Sequence, residues 1–263
     1  ILNEELFASY AASGITAMEI SMADHLYPSI NYDELAHLSQ KYGVELWSYH
    51  LPFSPFEKID ISSLDDKKRE YSIKYFYELI EKASAIGIDK FVVHPSAEPI
   101  DDVERGARME CAKNSLAKLA DIAEEHGAVI AVEDLPRTCL GKNSEEIEEL
   151  LSADERLRVC FDTNHLLAED FEHFIKKVGS KIITTHVSDY DYADERHWLP
   201  GEGKLDWNRM YNALKNAGYA GVWLYELGFT PTSTITRSRN LTTEDFANNA
   251  KEIFEGKKLT IVK

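Results

Sequence analysis

Short apolar segments alternate with amphipathic helical segments along almost the whole chain, and this alternation restricts the fold more than any other feature. Apolar residues recur with helical spacing in eight segments, near residues 4–13, 32–42, 66–86, 102–126, 145–151, 170–178, 207–217 and 243–255. Seven β-rich segments separate them, at residues 16–21, 44–50, 90–95, 128–134, 158–163, 182–189 and 221–228. Strict alternation predicts parallel strands joined by right-handed crossovers, and hence an open doubly wound sheet or a closed α/β barrel.

Capping residues mark the ends of several predicted helices. Glycines that suit the left-handed position after a helix follow five of the segments, at Gly14, Gly43, Gly87, Gly127 and Gly218. Asn31 and Glu34 have the spacing of a capping box. Thr242 and Asp245 have the same spacing, and Ser144 precedes an acidic first turn. These signals support the predicted helix boundaries.

The length and the charge limit the number of domains and the kind of partner. A chain of 263 residues has an ordinary length for one α/β barrel, so we expect a single domain over residues 1–263. The 46 acidic residues exceed the 29 Lys and Arg, which gives a formal net charge of −17. A surface of this sign repels phosphate backbones and anionic lipid. We therefore expect no membrane partner, and the charge disfavours nucleic acid.

The cysteines and the first residues bear on the compartment. Cys111, Cys139 and Cys160 are odd in number and lack CxxC spacing, which fits a reducing environment better than a disulfide framework. The opening residues ILNEELFASY contain neither a basic n-region nor a long apolar run. We expect a cytoplasmic protein, and a homo-oligomer is compatible with the sequence.

Ionisable residues stand at the C-terminal ends of six of the seven predicted strands, namely His50, His94, Glu133, Asp162, His186 and Glu226. A closed barrel brings all its strand ends to one mouth, whereas an open sheet forms its site between a few strands at a switch point. The distribution therefore favours a (β/α)8 barrel. Because the chain opens inside the first predicted helix, eight strands require a first strand upstream of residue 1.

The charged residues on four of these strands share a need for a partner. A charged group at the end of a buried strand costs several kcal/mol to desolvate unless it is paired or bound to metal. Two glutamates, one aspartate and one imidazole form an oxygen-rich ligand set. We therefore expect one divalent cation, Mn²⁺ first, with Co²⁺, Mg²⁺ or Zn²⁺ as alternatives, bound by Glu133, Asp162, His186 and Glu226.

Several runs of sequence combine into a specific set of motifs, namely VVHPSAEP, AVEDLPRTCLG, CFDTNHLL, TTHVSDYDYADERHWLPGEGKLDW and LYELG. They contain Asp-x-x-His after one strand, His-x-x-Asp after the next and a Pro-Gly-x-Gly loop. With these motifs the chain resembles the xylose-isomerase-like barrel superfamily, in particular its branch of bacterial sugar phosphate isomerases and epimerases. The resemblance implies a TIM barrel and a metal-dependent enzyme whose substrate is a small sugar, sugar phosphate or related polyol. It also implies the same four metal ligands.

The two glutamates suggest a mechanism. Glu133 and Glu226 are predicted to act as acid and base on opposite faces of a substrate carbon while they also bind the cation, so that the reaction passes through an ene-diolate. Isomerisation and epimerisation both follow from such an intermediate. A dehydratase of a keto-polyol could expel a hydroxyl from the same ene-diolate, and this alternative stays open.

A second alternative comes from the same superfamily, which contains endonuclease IV type apurinic-site endonucleases with a multi-zinc site. The resemblance implies that His165 lies near substrate or a second ion. His50 and His94 match positions that face substrate in some relatives and bind extra zinc in others. His197 matches a further ligand position of the endonucleases, and Glu195 stands where an aspartate is usual. Two features favour the sugar enzymes: the net charge and the loop sequence His197-Trp198-Leu199-Pro200-Gly201.

Other candidate substrate contacts lie in the loops. Ketose 3-epimerases are expected to carry a glutamate and an arginine where this chain has Cys139 and Tyr192. Substrate contacts are therefore also predicted for Arg137, Arg196, His197 and Trp198. The segment 229–242 is long for a βα loop, and its Arg237 and Arg239 are candidate ligands for a phosphate or carboxylate on the substrate.

Overall fold

Helices and parallel strands alternate in the order that the sequence predicts. The computed structural model describes residues 2–262. The strands are β1 (Ala17–Ile20), β2 (Glu45–His50), β3 (Lys90–Val93), β4 (Val129–Glu133), β5 (Arg158–Asp162) and β6 (Ile182–His186). The helices are α1 (Glu4–Ala12), α2 (Tyr32–Tyr42), α3 (Asp66–Ser84), α4 (Arg105–Glu125), α5 (Ser144–Leu151), α6 (Phe171–Val178), α7 (Trp207–Asn216) and α8 (Thr243–Phe254). Short 3-10 helices at Asp24–Ser29 and Gly179–Lys181 were not predicted.

The six strands form one sheet in which each strand pairs with its neighbours in the chain. The order is β1-β2-β3-β4-β5-β6, and every pairing is parallel. A sequential parallel order lets each crossover helix pack on the same outer face, so the sheet curls as part of a barrel. The predicted α/β class is confirmed. No helix among residues 2–262 has the length and apolar composition needed to cross a bilayer.

The seventh predicted strand, at residues 221–228, is not a regular strand. It makes a single parallel bridge, between Tyr225 and Val187. The Val187 amide donates to Leu224 at 2.7 Å, and the Glu226 amide donates to Val187 at 3.1 Å. The β6 strand also ends earlier than predicted, at His186: Val187 makes only the isolated bridge to Tyr225, and Asp189 pairs with Trp198 in an antiparallel bridge.

The outer edge of β1 faces residues 221–226 across a groove. The groove has a volume of about 680 Å³, and its walls include Ile15, Met18, Trp223 and Phe246. Within the described part of the chain, β1 pairs as a strand with β2 alone. The further strand expected upstream of residue 1 stays a prediction.

Local signals account well for the helix ends. All five glycines predicted to follow helices have φ between +66° and +94°. Asn31 caps α2 by accepting from the Glu34 amide at 3.2 Å, and Thr242 with Asp245 forms the predicted capping box on α8. The N-cap of α5 is Asn143 instead of Ser144, because Asn143 accepts from the Glu146 amide, whereas Ser144 hydrogen-bonds to Glu169.

Two layers of side chains fill the inside of the sheet. Successive residues of a strand point to opposite faces, so residues two apart share a face. Three small buried residues, Val92, Ala131 and Cys160, form an apolar cluster with Ile183. Each of the three stands two positions before a candidate ligand: His94, Glu133 or Asp162. The charged residues thus lie at the mouth of the sheet above an apolar floor.

Candidate metal centre

The parallel strands carry the predicted ligands to one edge of the sheet. His50, Glu133, Asp162 and His186 are the last residues of β2, β4, β5 and β6, and His94 follows β3 directly. Glu226 follows the bridge that ties its segment to β6. Because parallel strands end at the same side of a sheet, these side chains form one cluster. The sequence prediction of their convergence agrees with this geometry.

Glu133 lies at the centre of the cluster. Its Oε2 atom is 3.1 Å from His50 Nε2 and 3.0 Å from His94 Nε2. Its Oε1 atom is 2.8 Å from His186 Nδ1. The Glu133 side chain is fully buried, so both oxygens are committed to this cluster.

Asp162 and Glu226 complete the predicted ligand set around His186. The Nδ1 atom of His186 lies 3.4 Å from Glu226 Oε2 and 4.0 Å from Asp162 Oδ2. These two oxygens are buried, and neither has a hydrogen-bond partner among residues 2–262. A buried carboxylate oxygen without a donor costs several kcal/mol, so the pair requires a counter-charge. The Glu226 side chain is 29% exposed and lies at the open side of the cluster.

The pKa values of the two fully buried acids, Glu133 and Asp162, shift in opposite directions. Burial opposes ionisation of Glu133, but the adjacent His186 and His94 hold its pKa well below the usual range. Burial raises the pKa of Asp162 far above the usual range, and the neighbouring Glu226 and Glu133 raise it further. A divalent cation bound here would offset the charge of the carboxylates and favour the ionised form of Asp162.

Three of the surrounding histidines have their Nδ1 atoms turned to backbone carbonyls. His50 Nδ1 is 2.8 Å from the Leu51 oxygen, His165 Nδ1 is 2.8 Å from the Asp134 oxygen, and His197 Nδ1 is 3.0 Å from the Glu226 oxygen. A carbonyl can only accept, so Nδ1 of each ring carries a proton and donates it. Nε2 is then the nitrogen that can bind an ion; it lies 3.1 Å from Glu133 Oε2 in His50 and 3.5 Å from Glu195 Oε2 in His165.

A second cluster adjoins the first. His165, Glu195 and His197 offer ligand atoms within 4.8 Å of one another. His165 Nε2 is 3.5 Å from Glu195 Oε2. The backbone of His197 is in the left-handed region at φ 52°, a conformation that costs about 1–3 kcal/mol for a residue with a side chain.

The donors of the first cluster fit a cation. His50, Glu133, His186 and Glu226 present one ligand atom each within 4.8 Å of one another, and so do Glu133, Asp162 and His165. Carboxylate oxygens combined with imidazole nitrogens suit Mn²⁺, Co²⁺ or Zn²⁺. The two partnerless carboxylate oxygens described above are the observation that calls for such an ion.

Three residues near the cluster were missed by sequence reasoning. Glu19 contacts His186, with Oε1 3.0 Å from Nε2; its signal was an acid inside the apolar run TAMEIS. Asp134 accepts from the Asp162 amide at 2.7 Å, and burial raises its pKa to about 8. Phe53 stacks on His94 at 4.3 Å between ring centroids and is 39% exposed. No spacing rule indicates the role of Phe53.

The predicted contacts on the rim form their own ion pairs. Arg137 pairs with Glu98 through two hydrogen bonds, and it also contacts Asp194 and Glu195. It thereby joins the loop after β3 to the loop after β6 and holds Glu195 beside His165.

The next two predicted contacts stand together in the loop after β6. Arg196 pairs with Asp191 and lies 5.9 Å from the ring of Trp198. Trp198 donates to Thr234 at 3.0 Å. The indole is therefore tied to the long loop 229–242.

Arg237 and Arg239 differ from the prediction of an anion site. Arg237 donates to Glu202 at 2.8 and 2.6 Å, and its side chain is 1% exposed. Arg239 donates to Asp245 in the first turn of α8 and is half exposed. Because both guanidinium groups already have carboxylate partners, the geometry gives no support to a substrate phosphate at this place.

Asp189 organises the glycine-containing loop beside the site. One carboxylate accepts from the amides of Tyr190, Gly201 and Leu205 and from the indole of Trp207. Any side chain at position 203 would place its Cβ 2.2 Å from this carboxylate. In the His-x-x-Asp motif, Asp189 is thus a structural residue, whereas His186 faces the cluster.

Comparisons with known proteins agree with this geometry. The inosose isomerase of Bacillus velezensis is 27% identical over 257 residues, which cover 92% of this chain and 87% of that protein. A solved structure described as a D-tagatose 3-epimerase-like protein has a TM-score of 0.78 and 25% identity, over 91% of this chain and 88% of that one. The probable endonuclease 4 of Thermoplasma acidophilum is 24% identical over 200 residues, 68% of this chain and 67% of that protein.

A protein-family model covers most of the chain. It matches residues 7–244 and describes the xylose isomerase-like TIM barrel. The match spans every strand of the sheet and all the candidate ligands. The resemblance found in the sequence motifs is therefore confirmed, and the chain belongs to the xylose isomerase-like TIM barrel family.

Proposed function

We propose that this protein is a divalent-metal-dependent isomerase or epimerase of a sugar, a sugar phosphate or a related keto-polyol. The observation that carries the proposal is the pair of buried oxygens on Asp162 and Glu226 that face His186 without a hydrogen-bond donor. The inosose isomerase and the tagatose-epimerase-like structure support the substrate class. Glu133, Asp162, His186 and Glu226 would hold the ion, with Mn²⁺ as the first candidate.

The ion, when bound, stabilises negative charge that develops on the substrate carbonyl oxygen. The remaining chemistry is proton transfer by the two glutamates. One carboxylate removes the proton from the carbon beside the carbonyl, which gives an ene-diolate, and the other returns a proton. Return to the opposite face of the same carbon gives an epimer, and return to the neighbouring carbon gives an isomer.

The two glutamates differ in access. Glu226 is 29% exposed, whereas Glu133 is fully buried beneath three histidines. We assign to Glu226 the proton that exchanges with solvent during the reaction. We assign to Glu133 the proton that passes to or from the substrate without reaching solvent. Phe53, stacked on His94 beside His50, would cover the apolar face of a bound polyol. Arg137 and the Arg196–Trp198 pair would border the substrate at the rim.

Solvent exchange tests the chemistry directly. Mn²⁺-loaded protein is incubated in D₂O with inososes and with free and phosphorylated ketoses, and deuterium is read by NMR at the carbon beside the carbonyl. We expect incorporation in at least one substrate and its loss in Glu226→Gln. The matched control is Glu45→Gln, which changes an exposed glutamate of β2 outside the cluster. Product binding without any exchange would overturn the proposal, and loss of water from the substrate, read by mass, would indicate a dehydratase.

One observation favours a second candidate function. The triad His165–Glu195–His197 and the contacts of His50 and His94 with Glu133 provide ligands for more than one ion. This arrangement and the Thermoplasma relative suit an apurinic-site endonuclease, whereas the net charge of −17 opposes DNA binding. Elemental analysis separates the two: about one ion per chain supports the isomerase, while about three zinc ions together with nicking of abasic duplex DNA would support the endonuclease.

A further inference from the structure

We propose that Glu19 is a positioning residue that fixes the orientation and the protonated nitrogen of His186, so that Nδ1 presents its lone pair to the cation. This inference rests on the proposed metal-binding function and adds a residue that the sequence motifs do not contain. Glu19 belongs to β1, whereas Glu133 and Asp162 end β4 and β5.

The contacts of His186 differ from those of the other histidines. His50, His165 and His197 direct Nδ1 to a backbone carbonyl, so Nε2 is the ligand atom that each of them offers. His186 is reversed, with Nδ1 facing Glu133 and Nε2 3.0 Å from Glu19 Oε1. Carboxylates face both ring nitrogens, but a cation bound to Nδ1 takes its lone pair, and the one N–H of a neutral imidazole then lies on Nε2. Glu19 Oε1 accepts that N–H and so holds the ring in the orientation that metal binding needs.

Glu19 is itself held in place. Its other oxygen, Oε2, accepts from the Ser48 hydroxyl at 2.6 Å, and the Glu19 side chain is only 4% exposed. A carboxylate with both oxygens engaged and almost no access to water has little freedom to rotate. The chain Ser48–Glu19–His186 thus reaches from β2 to β6 across the inside of the sheet.

A register shift creates this contact. Met18 pairs with Leu46, but the next residue, Glu19, pairs with Ser48, so Trp47 is an extra residue on β2. Such an irregularity re-aims side chains and is common beside functional sites. The indole of Trp47 donates to Thr184 on β6 at 3.1 Å, which fixes the irregular strand. The irregularity between β1 and β2 therefore lies where it pairs Glu19 with Ser48.

Metal affinity and the proton on His186 provide two independent tests. Mn²⁺ affinity is measured by calorimetry for wild type, Glu19→Ala, Glu19→Gln, Ser48→Ala and Glu45→Gln. Loss of a carboxylate partner from a ligating histidine typically weakens metal binding about 10–100-fold, and we expect this for Glu19→Ala. The amide oxygen of Glu19→Gln still accepts from Nε2, so this variant should recover part of the affinity. Glu45 is an exposed acid on β2, and its variant should match wild type.

The second measurement follows the Nε2 proton in Zn²⁺-loaded protein labelled with ¹⁵N-histidine. We expect a slowly exchanging Nε2–H signal in wild type and in Glu45→Gln, and its loss in Glu19→Ala. Unchanged Mn²⁺ affinity in both Glu19 variants, or an Nε2–H signal that survives in Glu19→Ala, would overturn the role of Glu19. Wild-type protein that binds none of these ions would overturn the proposed function as well, so the two failures are distinguishable.

Discussion

The guanidinium of Arg237 and the carboxylate of Glu202 form a two-point ion pair in which both side chains are at most 3% exposed. Glu202 also accepts from the Leu199 amide at 2.8 Å. The pair therefore joins the long loop 229–242 to the glycine-containing loop that Asp189 organises. A buried pair of this kind is costly to break, because the surviving charge is left without a partner.

We expect Arg237→Ala to destabilise the protein by about 3–5 kcal/mol in urea unfolding, since it leaves the Glu202 charge buried. Adding Glu202→Gln to Arg237→Ala should restore part of the loss, because an amide is less costly to bury than a carboxylate. The control Arg239→Ala removes a half-exposed pair and should cost about 1 kcal/mol or less. Unchanged stability in Arg237→Ala, combined with weaker binding of phosphorylated ketoses, would instead support the anion site that the sequence suggested.

The capping box of α8 should make stability depend on pH in the acidic range. The ion pair with Arg239 lowers the pKa of Asp245 to about 2, and the Thr242 amide also donates to this carboxylate. Because the pKa is lower in the folded state, the stabilisation is complete above the unfolded pKa of about 4 and is lost as pH falls towards about 2.

Asp245→Ala should therefore cost about 1 kcal/mol at neutral pH, the usual effect of losing a capping interaction. The difference from wild type, measured by urea unfolding, should shrink as pH falls from about 5 to about 3. Glu244→Ala removes an exposed neighbouring acid and should have a smaller effect. A difference that stays constant with pH would exclude the ionised Asp245 as its source.

Metal removal should destabilise the fold as well as stop turnover. An ion that binds only the folded chain stabilises it by about 2.7 kcal/mol at 100 times its Kd. We expect Mn²⁺ at this level to raise the Tm of chelator-treated wild type, and Glu133→Gln, which alters the central ligand, to lose most of the rise. An equal rise in both proteins would show that the ion binds elsewhere.

Phe53 should contribute to substrate affinity. Removing its ring from the face of His94 in Phe53→Ala should raise KM by roughly threefold to tenfold with a smaller change in kcat, in line with the energy of an aromatic contact. Phe56 is a matched control, because it is about equally exposed in the same loop. Equal effects of Phe53→Ala and Phe56→Ala would assign the change to the loop as a whole.

Local sequence signals predicted most of the fold. The bounds of α2 are the predicted 32–42, and α8 differs by one residue from the predicted 243–255. Both helices have a capping residue at the start and a periodic apolar face, which are properties of neighbouring residues. The prediction of a regular strand at 221–228 was wrong because a strand depends on partners that are distant in sequence, and within the described residues this segment makes one bridge, to Val187.

In the candidate site too, some residues could be predicted from local sequence, whereas others depend on partners distant in sequence. Glu133 and Asp162 could be placed together because each ends a parallel strand. The role of Glu19 depends on the register between β1 and β2, which no local pattern encodes. The partner of Arg237 is likewise 35 residues away in another loop. The composition of the loop therefore suggested a guanidinium free to bind substrate, whereas the structure has it in an ion pair with Glu202.

The four hydrogen bonds on Asp189 affect the thermodynamics of ligand binding. Tyr190, Gly201, Leu205 and Trp207 are all held by this one carboxylate, so contacts within the protein itself hold the loop beside His186 in place. Ordering a segment upon association costs backbone entropy of about 1–2 kcal/mol for every residue fixed. A substrate of this protein avoids that cost along the loop, and a large part of its contact energy is retained as affinity.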